Sequence, residues 1–340
     1  MIFSNKSNKN KVIEPIKVQK LEPVQVHFDE KLQIIDASGH VSLYSYSRLI
    51  ATFDRVEILL KEGRNVDFIF ADTNFISLDA LAFLIGNIEY IISIYGRNRI
   101  NGTYSNSPLV NQFLIDSGFF QRIGAADKGG VDSEDKSRIA EKINLEFISG
   151  RFVNADSIDP LRRQVLDNNI QLKTASDKKI FRALSEAMLN VHHHAYTGVK
   201  YQVGRHSTIK GRWWLGGSFL KKDELLSFVM YDIGSGIPST MPRNYHSFVE
   251  TFTPKGETLD DAELILLATK RGKTSTKKGH RGRGIPDMHQ IVENGNGHLQ
   301  IVSGHGCYSF NGTFGTQALL PLGCRGTLVI WTIFTKSLQV

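Results

Sequence analysis

Three short segments of this 340-residue chain carry side chains whose types and spacing could do chemistry. The first is Leu184-Ser185-Glu186-Ala187-Met188-Leu189-Asn190-Val191-His192-His193-His194-Ala195-Tyr196. Glu186, Asn190 and His194 recur at intervals of four, and four helical residues turn only about 40° past a full circle, so the three share one face. Ile180, Leu184, Met188 and Val191 fall on another face and are the candidate core contact. A carboxylate one turn from an amide oxygen suits a Mg²⁺ ion that keeps several of its waters: the amide binds the metal and the carboxylate polarises a water. An amphipathic helix with a solvated polar face would have the same pattern. The second segment, Tyr231-Asp232-Ile233-Gly234-Ser235-Gly236-Ile237-Pro238, follows an apolar run. Its glycines permit positive φ and a close backbone approach to a ligand, and Asp232 could accept a hydrogen bond from an exocyclic amine. A strand ending in an ordinary turn is the plainer alternative. The third, Gly279-His280-Arg281-Gly282-Arg283-Gly284-Ile285, opens a helix containing Met288 and Ile291. Free backbone N–H groups and the helix dipole make such a loop an anion site, although glycines also serve as turns.

These segments need elements to position them. From Val26 to Ile123, strands and helices alternate. Strands are expected at Val41–Tyr44, Val66–Phe70 and Ile100–Tyr104, and helices at Ser47–Lys61, Leu78–Tyr95 and Pro108–Gly118. That alternation predicts an α/β domain over 25–124, preceded by a loose, Lys-rich arm over 1–24. The small, polar stretch 125–142 reads as a linker. Beyond it, helices are expected at Pro160–Asn169, Asp177–His194 and Ile285–Glu293. Strands are expected near 143–148, 213–219, 225–231, 299–303, 317–320 and 326–334. An irregular insert, 239–281, would hold one helix at Leu259–Lys270. Segregated helices and mostly antiparallel strands predict an α+β sandwich over 143–340.

Composition bounds the function. Cys307 and Cys324 are too few for a disulfide framework and have no zinc-type spacing. The N-terminus lacks the apolar run of a secretory signal, and the apolar stretch Ala80–Tyr95 is short for a bilayer and interrupted by Asn87 and Glu89. A cytoplasmic protein without a membrane partner is therefore expected. The 41 Lys+Arg against 34 Asp+Glu leave a net charge of +7, compatible with nucleic acid, an anionic surface or a phosphate ligand. Lys270–Arg283 alone carries seven cations and no acid, which equals the whole excess. The concentration of charge beside the glycine-rich loop favours a bound nucleotide, with Lys277, Lys278 or Arg281 as phosphate contacts.

The order of the segments, Glu-x3-Asn-x3-His, then Asp-x-Gly-x-Gly, an insert, Gly-x-Gly before a helix, and Gly326-Thr327 on a last strand, resembles the GHKL ATPase superfamily (gyrase B, heat-shock protein 90, histidine kinases, MutL). The string Glu186–Tyr196 is most similar to anti-sigma-factor serine kinases and histidine-kinase catalytic domains. The resemblance covers roughly 143–335 and implies the Bergerat ATP-binding sandwich, with ATP and Mg²⁺ as ligands. It implies Glu186 as general base, Asn190 as the metal ligand and Asp232 as the partner of the adenine amine, supported through water by Thr327. His194, Gly234, Gly236, Ile237, Gly282, Arg283 and Gly284 would complete the nucleotide site, and the insert 239–281 would be the ATP lid. More loosely, Val66–Phe70, Phe75–Leu81 and Asp116–Phe119 resemble STAS domains, the anti-sigma-factor-antagonist fold, with Asp79 at the phospho-acceptor position, Ala80 in place of glycine and Ser77 out of register.

Other motifs fail on spacing. Gly272-Lys273-Thr274 is no P-loop, because Leu267 stands where the first glycine is needed. His192, His193 and His194 point about 100° apart on a helix and do not jointly favour one metal ion. Trp213 and Trp214 read as packing, with stacking on single-stranded nucleic acid as the alternative. Three functions compete: an ATP-driven switch with slow hydrolysis, acting on a protein partner through the STAS-like region or the lid; a serine or histidine kinase for a separate acceptor; and a nucleic-acid-binding module. A homodimer is compatible with each.

Overall fold

The computed structural model describes residues 22–34, 42–123, 141–153, 155–172, 174–196, 211–270, 284–293 and 296–335. The expected arm up to residue 21 and the linker over 125–140 lie outside them.

The N-terminal elements form a parallel layer. Strands β1 (Val24–His27), β3 (Val66–Ile69) and β5 (Ile100–Gly102) pair in parallel in the order β1-β3-β5, and β2 (Lys31–Leu32) pairs in parallel with β4 (Phe75–Ile76). Parallel pairing needs crossovers, supplied by α1 (Leu43–Lys61) and α2 (Leu78–Tyr95), followed by α3 (Pro108–Asp116) and α4 (Phe119–Ile123). The expected strand at 41–44 is corrected: Leu43 and Tyr44 already belong to α1, and residue 41 is not described. Buried Tyr46, Leu49, Ile50, Phe53, Val56 and Leu60 extend the helical period one turn further back than the sequence reading placed it.

The rest is a five-stranded antiparallel sheet, in the order β6-β7-β8-β10-β9. Its strands are β6 (Lys142–Gly150), β7 (Trp213–Leu220), β8 (Leu225–Asp232), β9 (Gly297–Phe310) and β10 (Gly315–Phe334). The last two form one long hairpin, where the sequence showed broken runs. Register shifts between Leu319 and Thr327 let it continue past Pro321 and Gly323. Helices α5 (Asp159–Asp167), α6 (Thr174–Asn190) and α10 (Gly284–Val292) accompany the sheet. Among its described residues the insert holds three helices rather than one: α7 (Ile237–Asn244), α8 (His246–Phe252) and α9 (Asp261–Lys270). Both α7 and α8 are short, of eight and seven residues. They are held by a small core of Met241, Leu264, Leu267 and Ala268, with Phe248 and Val249 against it.

The central strands β7 and β8, and the parts of β9 and β10 beside them, are buried on both faces. Successive side chains on a strand alternate faces, so each strand feeds two cores. Trp213, Leu215, Phe228, Met230, Val329 and Trp331 join the helical core with Leu161, Leu184 and Met188. Trp214, Val229, Tyr231, Val302 and Leu328 join a core continuous with α1, α2 and the parallel strands. Double-sided burial explains why these strands read as unbroken apolar runs. Trp213 and Trp214 are both buried, which removes them as platforms for nucleic-acid bases. By length and composition α2 could cross a bilayer, but most of it is buried in this core, against β7 and β8.

The contact between α2 and the sheet is tight at one point. A Cβ on Gly86 would lie 2.5 Å from the ring of fully buried Tyr231, which also stacks on Trp214 at 6.1 Å. Gly86→Ala would gain about 1 kcal/mol of helix propensity, against an overpacking cost of about 1–3 kcal/mol. We expect a net loss of up to about 2 kcal/mol in denaturant unfolding. A variant as stable as the parent would show that this contact relaxes freely.

Candidate functional site

Helix α6 buries Ile180, Leu184 and Met188 against the sheet, which leaves Glu186 and Asn190 half-buried on its other side. It ends in a π-helical turn over Val191–Ala195. Such turns widen the backbone and are frequent at functional sites. Here the turn brings His193 as well as His194 to the wall of one cavity of about 800 Å³. The two nitrogens of the His194 ring lie 3.4 Å from Asn244 Nδ2 and 3.2 Å from the Tyr245 hydroxyl. His194 thus joins the end of α6 to the end of α7.

The floor comes from the sheet. Asp232 ends β8, paired in register with Trp213 on one side and Thr327 on the other. Met230, Ile301 and Val329 make the rest of the floor apolar. Asp232 is 2 % exposed. Burial pushes its carboxyl up to about 7, partly offset by the Gly234 N–H, which donates to Oδ1 at 2.7 Å.

The glycines of the Asp-x-Gly-x-Gly turn have different reasons. A Cβ on Gly234 would stand 2.5 Å from the Ala195 Cβ, because the turn lies directly on the end of α6, and the Ser235 N–H donates to the Ala195 carbonyl at 2.6 Å. Gly236 has φ +78° and precedes α7, a backbone state that glycine adopts without strain. The next residue, Ile237, donates its N–H to Ser303 Oγ at 2.9 Å. Ser303 donates in turn to the Gly326 carbonyl at 2.8 Å, so the Thr327 hydroxyl, 3.0 Å away, is the donor to Ser303. One proton and two lone pairs then saturate Ser303, and the Thr327 oxygen keeps its lone pairs for another donor.

Seven residues singled out in the sequence meet around this cavity: Glu186, Asn190, His194, Asp232, Gly236, Ile237 and Thr327. Gly234 sits beneath, shaping the turn. Gly284 opens α10 next to Ile285, which with Met288 of the same helix lines the cavity. Lys277, Lys278, Arg281, Gly282 and Arg283 lie outside the described residues. Sequence reasoning missed Thr240, Met241, Asn244 and Tyr245, which form the opposite wall from α7, and Ser303 beneath it. The prolines at 238 and 242 obscured α7, although proline in a first helical turn is well tolerated. In the N-terminal layer Asp79 is buried, and its Oδ2 accepts the Ile34 N–H at 2.8 Å. Ser77 is the N-cap of α2, its Oγ accepting the Ala80 N–H at 3.3 Å. No model of a protein family matches the chain, and no curated protein is significantly similar to it.

The carboxyl of Asp232 makes a titration test. Its folded pKa of about 7 stands above the ordinary value of 3.8, so the folded, ligand-free state binds the extra proton. That contribution is complete below about pH 4 and is lost as pH rises through 7, on the order of 4 kcal/mol from a three-unit shift. Asp232→Asn keeps an oxygen for the Gly234 N–H and removes the titration. The stability difference between variant and parent should grow in the variant's favour from pH 5 to pH 8. A difference flat with pH would show that Asp232 titrates normally.

Proposed function

We propose that this protein is a Mg-ATP-binding member of the GHKL superfamily, with a Bergerat fold over 143–340 and a STAS-like layer before it, acting as a slow ATPase and nucleotide-driven switch. The observation that carries the reading is the convergence of Glu186 and Asn190 from α6, Asp232 from β8, Gly236 from the turn before α7 and Thr327 from β10 on one cavity large enough for a nucleotide. A dry apolar floor ending in one carboxylate suits a flat base with an exocyclic amine. The half-buried Glu186 and Asn190, one turn apart on α6, line the same cavity, where a triphosphate would extend. Asn190, an oxygen donor, suits Mg²⁺; when bound, the ion would neutralise charge on the phosphates. Glu186 would take the proton of a water whose oxygen attacks the γ-phosphorus, as the bond from that phosphorus to the bridging oxygen breaks and ADP leaves. As part of the lid, α7, whose end is joined to the end of α6 through His194, would report an occupied site to a protein partner. The cytoplasm, where ATP and Mg²⁺ are abundant, is the compartment this reading requires.

The test is calorimetric binding with a phosphate-release assay. Wild type should bind Mg-ATP and turn it over slowly. Glu186→Ala should still bind, with hydrolysis reduced about 100-fold or more, as for loss of a general base. Asn190→Ala should lose the Mg²⁺-dependent part of the affinity. No saturation by Mg-ATP at millimolar concentration, or hydrolysis indifferent to Glu186→Ala, would overturn the assignment. Transfer of label to an added protein instead of release as free phosphate would favour the kinase alternative.

A further inference from the structure

Asp232 is held from behind the sheet as well as from within the cavity. The residue before it, Tyr231, faces α2, where Asn87 Nδ2 donates to its hydroxyl at 3.2 Å and to the Phe83 carbonyl at 2.9 Å. The residue after it, Ile233, donates its N–H to the Tyr196 hydroxyl at 3.2 Å, and that hydroxyl donates to the Arg212 carbonyl at 2.8 Å. Arg212 is anchored to the same helix: its Nη2 lies 2.9 Å from Glu89 Oε2, while Arg122 Nη1 lies 2.9 Å from Oε1. Both arginines also donate to Ser149 Oγ at 3.2 Å. The two neighbours of Asp232 in the chain are therefore tied, by separate routes, to residues two apart on α2. Neither Asn87 nor Glu89 lines the cavity.

A hydrogen bond from carboxylate to ligand weakens steeply with displacement and misalignment. Two tethers to one helix, reaching the residues on either side of Asp232, restrain rotation and sliding at the end of β8. We propose that Asn87 and Glu89 of α2 are positioning residues for Asp232, so that α2 sets the affinity of the base end of the cavity for its ligand. This rests on the nucleotide reading above, and it makes the N-terminal layer part of the binding device. Displacing α2 by a partner would weaken the site without touching it.

The experiment measures adenosine and Mg-ATP affinity, and KM and kcat for hydrolysis, in the full-length chain. Glu89→Gln weakens both arginine contacts, and Asn87→Ala removes the Tyr231 contact. Arg48→Ala, which breaks the exposed pair with Asp29 at 2.7 Å in the same layer, is the control. Each α2 variant should weaken adenosine and Mg-ATP alike by roughly fivefold to tenfold, about the effect of losing one hydrogen bond. KM should rise by the same factor, kcat should hold, and Arg48→Ala should bind as the parent does. Glu89→Gln and Tyr196→Phe should combine to less than the product of their separate effects, because they act on one route. Should Asn87→Ala fail to fold, Glu89→Gln decides alone. Folded variants that bind adenosine as tightly as the parent overturn the proposal and leave the nucleotide reading standing. So does a loss confined to Mg-ATP, which would place the effect at the phosphates. A parent that binds neither ligand overturns the nucleotide reading, and this proposal with it.

Discussion

Strand β8 has two faces to keep dry, and the rest of the molecule is arranged around that requirement. Leu226, Phe228 and Met230 face the helices of the C-terminal region, while Val229 and Tyr231 face α2 and the parallel strands. An antiparallel sheet commonly leaves one face to water. Here that option is closed, because the second face carries Trp214 and Tyr231, both fully buried. The N-terminal layer is therefore more than an appended module. Its helix α2 completes the core of the sheet that bears Asp232, and the approach is close enough that a side chain at position 86 would collide with the Tyr231 ring.

The cavity inherits its electrostatics from the same burial. Asp232 ends a strand whose flanks are covered, so its carboxyl has little water and one backbone donor. A group in that state binds an outside donor well, because the cost of drying it has already been met by folding. Glu186 and Asn190 sit differently, half-buried on a helix face that opens to the cavity, where an ion and its waters have room. One end has Asp232 and Thr327 side by side on an otherwise apolar floor, and Glu186 and Asn190 line the cavity from α6; the proposed nucleotide reading rests on that division.

Parts of this were legible without coordinates. The interval of four from Glu186 to His194 is local, since helical geometry alone places those residues on one side. Helix α2 was legible to its ends, because a long apolar run with Ser77 before it and Gly96 after it leaves little freedom. The turn glycines were legible as positions of close approach, although not what they approach. The start of α1 was misread because a four-residue strand pattern and a helical turn are indistinguishable at that length. Helices α7 and α8 were missed because their stability comes from Leu264 and Leu267 on α9, which no local window contains.

The sequence by itself determined the chemistry available: which side chains could hold a metal, a base or a proton, and in what order along the chain. It did so because helix and strand periods, and the conformational freedom of glycine, act over a few residues. Only the tertiary structure decided which of them meet. It set Thr327 between Asp232 and Ser303 through strand pairing, brought His193 to the wall through a π turn, and tied the neighbours of Asp232 to Asn87 and Glu89. Those relations depend on the register of pairing and on side chains that interlock across layers. Both are settled only when the two faces of the sheet are closed at once.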